Sequence, residues 1–142
     1  MGISQTPQAL VGATLGGITS ANARVDTQQS TSSTSFTDLT TVGPQVTLTT
    51  GTKALVLIVA QSSQGSTTET HVSFDVSGAT TLSANNNTAI VQQNAAHNTN
   101  RQASFAAVTL NAGSNTFTMK YRTDSSTGYF LNRQICVIDL GS

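Results

Sequence analysis

Seven consecutive apolar residues, Ala54-Leu55-Val56-Leu57-Ile58-Val59-Ala60, stand between Lys53 and Gln61. The run is too short for a stable helix, and Val, Leu and Ile dominate it. It predicts a central strand covered on both faces, because a strand with one wet face alternates apolar with polar residues. It is the longest apolar run in the chain and falls far short of the roughly 20 residues of a membrane helix.

Elsewhere the pattern does alternate. Val72, Phe74 and Val76 point one way, and Ser73, Asp75 and Ser77 the other. Phe117, Met119 and Tyr121 likewise oppose Thr118, Lys120 and Arg122. Further strands are predicted over residues 23–30, 33–39, 46–48, 89–91, 101–110 and 129–140. Turn chemistry separates them: Val42-Gly43-Pro44, Thr50-Gly51-Thr52, Ser77-Gly78, Asn85-Asn86-Asn87, and a hairpin-type loop over Asn111–Asn115. Eight to ten short strands without a helix of normal length imply an all-β, antiparallel β-sandwich, jelly-roll-like, over residues 22–142. The 25 Thr and 17 Ser suit such a fold. Thr has β propensity, and water satisfies its hydroxyl on an outer face.

Residues 1–21 are different, with four Gly and no charged side chain before Arg24. They are read as an extended N-terminal arm that packs on its own domain or on a neighbouring subunit. Ile3, Leu10, Val11, Leu15 and Ile18 are its candidate partner-binding residues. The stretch lacks the basic start and unbroken apolar core of a secretory signal. Met1-Gly2-Ile3-Ser4-Gln5-Thr6 fits the short N-myristoylation pattern, but is read as an ordinary start.

Six basic and six acidic side chains give a formal net charge of zero. That excludes the basic stripe of a nucleic-acid binder. One Cys excludes a disulfide scaffold, and Cys136, inside the last apolar strand, is expected as a small buried hydrophobe. Glu69, His71 and Asp75 share one face of a strand, but positions 69 and 75 are roughly 20 Å apart, too far for one ion. A solvated polar face is expected there. His97 falls in a polar loop without an acidic neighbour. No nucleophile elbow, phosphate loop or His-Glu-x-x-His pattern is present. No catalytic residue, cofactor site or metal site is assigned, and the chain is not read as an enzyme. Trp is absent and most of the five Phe fall at inward positions, leaving Tyr129 as the aromatic nearest a loop. This weakens a sugar-binding reading. The sequon Asn86-Asn87-Thr88 matters only in a eukaryotic secretory pathway.

The chain also resembles a known group. The carrying stretches are Arg24-Val25-Asp26-Thr27, Ser35-Phe36-Thr37-Asp38-Leu39, and Gly43-Pro44 with Val46-Thr47-Leu48-Thr49-Thr50-Gly51-Thr52-Lys53-Ala54-Leu55-Val56. Val72-Ser73-Phe74, Val76-Ser77-Gly78-Ala79-Thr80, Ala112-Gly113-Ser114-Asn115-Thr116-Phe117-Thr118-Met119-Lys120-Tyr121 and Asn132-Arg133 follow. Over residues 23–140 the pattern is similar to small β-sandwich domains of tailed-bacteriophage structural proteins. These include minor tail and fibre proteins and free-standing capsid decoration (cement) proteins. The length, read as one domain and a short arm, favours decoration. The resemblance implies a homotrimer on the outer capsid surface, made in the host cytoplasm. It would clamp adjacent subunits of the major capsid protein, with no nucleic-acid or membrane partner and no cofactor. The rivals are a tail or fibre adhesive module, which would bind cells or glycans through its loops, and a small secreted enzyme with two carboxylates, or a His with a carboxylate, converging in a cleft.

Overall fold

The computed structural model describes residues 17–66, 68–93 and 98–142. Nine strands follow in order: β1 Ser20–Val25, β2 Gln29–Thr31, β3 Gln45–Thr50, β4 Lys53–Gln64, β5 Glu69–Gly78, β6 Ile90–Gln93, β7 Asn100–Thr109, β8 Gly113–Thr123 and β9 Gly128–Gly141. They form two antiparallel sheets. One runs β1-β9-β4-β7 with β2 also paired to β9, and the other runs β3-β8-β5-β6. Chain neighbours hydrogen-bond to each other only at β5–β6. Every other pairing joins distant segments, such as Ser20 with Ile138 and Gln45 with Thr118. This is the jelly-roll sandwich expected from the sequence.

The inward faces interdigitate between the sheets. Val56, Ile58, Ile135, Val137 and Phe130 come from one sheet, and Val72, Phe74, Val76, Phe117, Met119 and Tyr121 from the other. Each such side chain contributes about 1.5–3 kcal/mol by leaving water. Tyr121 meets Phe130 with ring centroids 5.0 Å apart, and its hydroxyl donates to Gly43 O at 2.9 Å. Burial pushes that hydroxyl well above its ordinary pKa, so it stays a neutral donor.

Two buried polar side chains hold the crossovers. Arg133 is 0% exposed on β9. It donates to Gly43 O at 3.2 Å, Gln29 Oε1 at 2.9 Å and Thr27 O at 3.4 Å, and its guanidinium lies 5.2 Å from the Tyr121 ring centroid. Asn115, also 0% exposed, donates to Thr50 Oγ1, Asn111 O and Gly113 O and accepts from Thr80 N at 2.8 Å. At the end of β5, Gly78 has φ +102, and a Cβ there would stand 2.4 Å from Ser114 O. Only glycine fits that backbone without strain.

The structure differs from the sequence reading in four places. Residues 23–30 make two strands, because the chain turns between β1 and β2 and both lie along β9. β1 also takes up Ser20 and Ala21, which were placed in the arm. Residues 33–39 make no strand. One bridge, Thr37 with Tyr121, ties them down while Leu39 plugs the core. Asn111–Asn115 is not a hairpin loop but a passage between sheets, since β7 pairs with β4 and β8 with β3 and β5. The fourth difference concerns β4. Ala54, Val56, Ile58 and Ala60 are buried in the core, whereas Leu55, Leu57 and Val59 on its other face have no layer of the described residues over them.

Candidate functional site

That uncovered face is broad. Register places Leu57 beside Phe105 of β7 and Cys136 of β9, and Leu55 beside Ala107 and Ile138. Val59 lies beside Ala103 and Gln134. Phe105 is 73% exposed in mid-strand. Ala103 and Ala107 are exposed, and Leu55, Leu57, Val59, Cys136 and Ile138 are half-buried by one another. The eight residues form one charge-free apolar surface. Asn22 and Ser20 of β1 border it, and Arg24, Lys53 and Arg101 stand at its rim. An isolated apolar side chain on a surface is ordinary, but a contiguous patch centred on an exposed Phe marks an interaction site.

Cys136 is therefore not the core residue expected; it is a free, half-buried thiol on this outer face. Two-residue alternation in β9 decides this, since Ile135 and Val137 take the inward positions. Among the arm residues, Ile18 is 65% exposed. Ile3, Leu10, Val11 and Leu15 lie outside the described residues, as does His97.

The outer face of the other sheet is charged. Lys120 Nζ lies 2.7 Å from Asp38 Oδ1 and 3.3 Å from Asp75 Oδ2. Its ammonium is partly desolvated, but these carboxylates raise its pKa. Arg122 contacts Asp124 Oδ1 at 2.7 Å, Asn86 Oδ1 at 3.2 Å and His71 Nδ1 at 3.3 Å, and lies 5.5 Å from the Phe36 ring centroid. Between the 34–36 and 81–86 segments, Phe36, Asp75, Asn86, Lys120 and Arg122 line an open groove of about 720 Å³. Phe36, unlike the inward Phe residues, is half-buried in its wall.

His71 is 2% exposed, not on a solvated face. Its Nε2 lies 3.0 Å from Asp124 Oδ1 and 3.5 Å from Glu69 Oε2. Asp124 is the partner that sequence reasoning missed. It is 53 positions from His71 and arrives through the pairing of β5 with β8. Asp75 instead joins Lys120. The Glu69, His71 and Asp124 ligand atoms lie within 4.8 Å of one another, close enough for an ion. The chemistry of the set favours a charge network. A histidine that ligates through Nε2 needs an acceptor at its Nδ1–H, and here a guanidinium donor faces Nδ1. The same guanidinium already neutralises Asp124. Burial raises the Asp124 carboxyl, but the Arg122 and His71 contacts outweigh it and hold its pKa down.

Burial and Arg122 lower the His71 pKa against the opposing pull of Asp124 and Glu69. The unfolded chain then binds more protons than the native one as pH falls below the ordinary histidine value of 6.5. Stability must therefore decline with acidification across that window. The urea midpoint of the wild type is expected to fall more between pH 7 and pH 5 than that of His71→Gln. Parallel declines in the two proteins would show that His71 is not the titrating group.

The sequence matches no family model and no curated protein sequence. The fold is shared with solved structures. Eiger TNF from S. frugiperda superimposes with a TM-score of 0.60 at 13% identity, over 88% of this chain and 94% of that one. The VP2 subviral particle protein of infectious bursal disease virus gives 0.63 at 9% identity, over 87% of this chain and 33% of that one. The T=1 particles derived from that virus give 0.63 at 10% identity. This chain spans about a third of the length of the viral chains it matches. At these identities the likeness establishes the fold: an all-β jelly-roll sandwich of the kind found both in viral capsid proteins and in a TNF.

Proposed function

We propose that this chain is a structural virion protein that decorates a bacteriophage capsid on its outer surface and stabilises it by clamping adjacent major capsid protein subunits, acting as a homotrimer. The observation that carries the reading is the apolar outer face around Phe105 on a jelly roll. A chain with that face works by assembling, and the shared fold with capsid proteins and the resemblance of residues 23–140 to phage decoration domains support an assembly on a virion. The threefold number comes from that resemblance. Ile3, Leu10, Val11, Leu15 and Ile18 are the arm residues proposed to reach neighbouring coat subunits.

A second reading has its own observation. The groove beside Phe36, Lys120 and Arg122 offers an aromatic ring and paired charges on a loop-bounded surface, which suits a tail or fibre adhesive module. Copy number in purified particles, measured against the major coat protein, separates the two. A fixed ratio giving hundreds of copies is the expected result. A few to a few tens of copies would support the tail or fibre reading, and absence from particles would overturn both.

A further inference from the structure

We infer that the β1-β9-β4-β7 sheet is the surface through which copies of this chain associate, with Phe105, Leu57 and Cys136 at the centre of the contact. The inference names the surface behind the multimer in the proposed function, but it does not depend on the protein being part of a virion.

The argument starts at β4. Its seven apolar residues belong to a strand covered on both faces, yet the described residues cover only one. Leu55, Leu57 and Val59 are left for a further surface to cover. The charge on that face selects the occupant. Its eight central residues carry no formal charge, so a complementary surface must be uncharged and apolar too. The opposite sheet does not qualify. Back-to-face stacking would bury Lys120, Asp75, Arg122 and Asp124 against an apolar surface that pairs none of them. The same sheet on a second copy does qualify, and face meeting face around a common axis closes the assembly without an endless fibre.

Permanence selects it further. Apolar contacts poor in charge are typical of obligate interfaces, whereas partners that first exist apart keep more polar contact surfaces. A coat protein is met only after this chain has folded in water. A sister copy is present from synthesis, at matching concentration. Covering the exposed part of each Phe105 ring removes roughly 100–150 Å² from water, which is the largest single apolar gain on the face.

The whole chain is expected to behave in light scattering as a multiple of 14.7 kDa. Phe105→Glu should reduce that mass to a single copy while keeping the far-ultraviolet β spectrum, and Ser77→Glu, on the exposed opposite face, should leave the mass unchanged. Cys136 gives an independent readout on the unmodified fold. Its thiol should react with a soluble maleimide at least tenfold more slowly in the wild-type assembly than in the Phe105→Glu monomer. If Phe105→Glu fails to fold, Phe105→Ala serves instead, with at least a hundredfold weaker association expected. A monomeric wild type at micromolar concentration would overturn the inference. So would a Phe105 variant that keeps the full mass, or a Cys136 thiol that reacts equally fast in assembly and monomer. Particle copy number enters none of these outcomes, so the surface and the virion reading stand or fall separately.

Discussion

Arg133→Ala is expected to lower folding stability by about 3–5 kcal/mol, a drop of roughly 10–15 °C in midpoint for a chain of this size. The side chain is wholly enclosed, so its removal leaves a cavity that β9 cannot close without leaving its register with β1 and β4. It also withdraws the donors that fix Gln29 and Thr27. Gly43 O keeps a partner, because Tyr121 donates to it as well. Arg133→Met tests the division between packing and charge. It refills most of the volume and removes a buried cation that faces only carbonyl oxygens and a ring, so it should recover most of the loss. Both should be measured by urea unfolding at one fixed protein concentration, since association adds stability by mass action. An Arg133→Ala loss below 1 kcal/mol would mean that Arg133 does not organise this end of the sandwich.

The second large effect is expected at Asn115. Its amide reaches four partners on three connections: the end of β3 at Thr50, the passage after β5 at Thr80, and the approach to β8 at Asn111 and Gly113. Thr50 and Thr80 are themselves buried, so truncation strands groups that water reaches poorly. Asn115→Ala should cost about 2–4 kcal/mol. Asn115→Asp should cost at least as much at neutral pH. It keeps an acceptor for Thr80 N, but turns a carboxylate toward the Asn111 and Gly113 carbonyls. Native-state hydrogen exchange should show the loss first in the 79–80 and 111–115 backbone. If Asn115→Asp matched the wild type in stability, the amide's three donated bonds would be contributing nothing.

These two residues show why the fold was largely legible in the sequence and its joints were not. Two-residue alternation carries the strands, and it placed Val72, Phe74, Val76, Phe117, Met119 and Tyr121 in the core correctly. It carries no information on which strands pair. Asn111–Asn115 has the composition of a hairpin loop, and only the long-range pairing of β7 with β4 rules one out. Arg133 and Asn115 look like surface residues by type, because the carbonyls that accept from them come from 90 and 4 positions away in the chain. His71 met the same obstacle: its Asp124 partner arrives from the far end of β8. The apolar face was visible in outline, since residues 54–60 demanded cover on both sides. That no described residue supplies the second cover could be seen only once the strands were placed.

The position of β9 carries one more consequence, for the order in which the protein is made. β9, which leaves the ribosome after every other described strand, lies between β1 and β4 and pairs with both. Until it emerges, the first strand has no hydrogen-bonding partner and the apolar run of β4 is open on the edge where β9 belongs. The sheet therefore cannot close before β9 has been made. A message truncated before residue 128 would yield a product with no way to complete its first sheet. Long-range closure of this kind is slow, milliseconds to seconds for all-β domains. For that interval β4 presents a sticky edge to every nascent copy nearby.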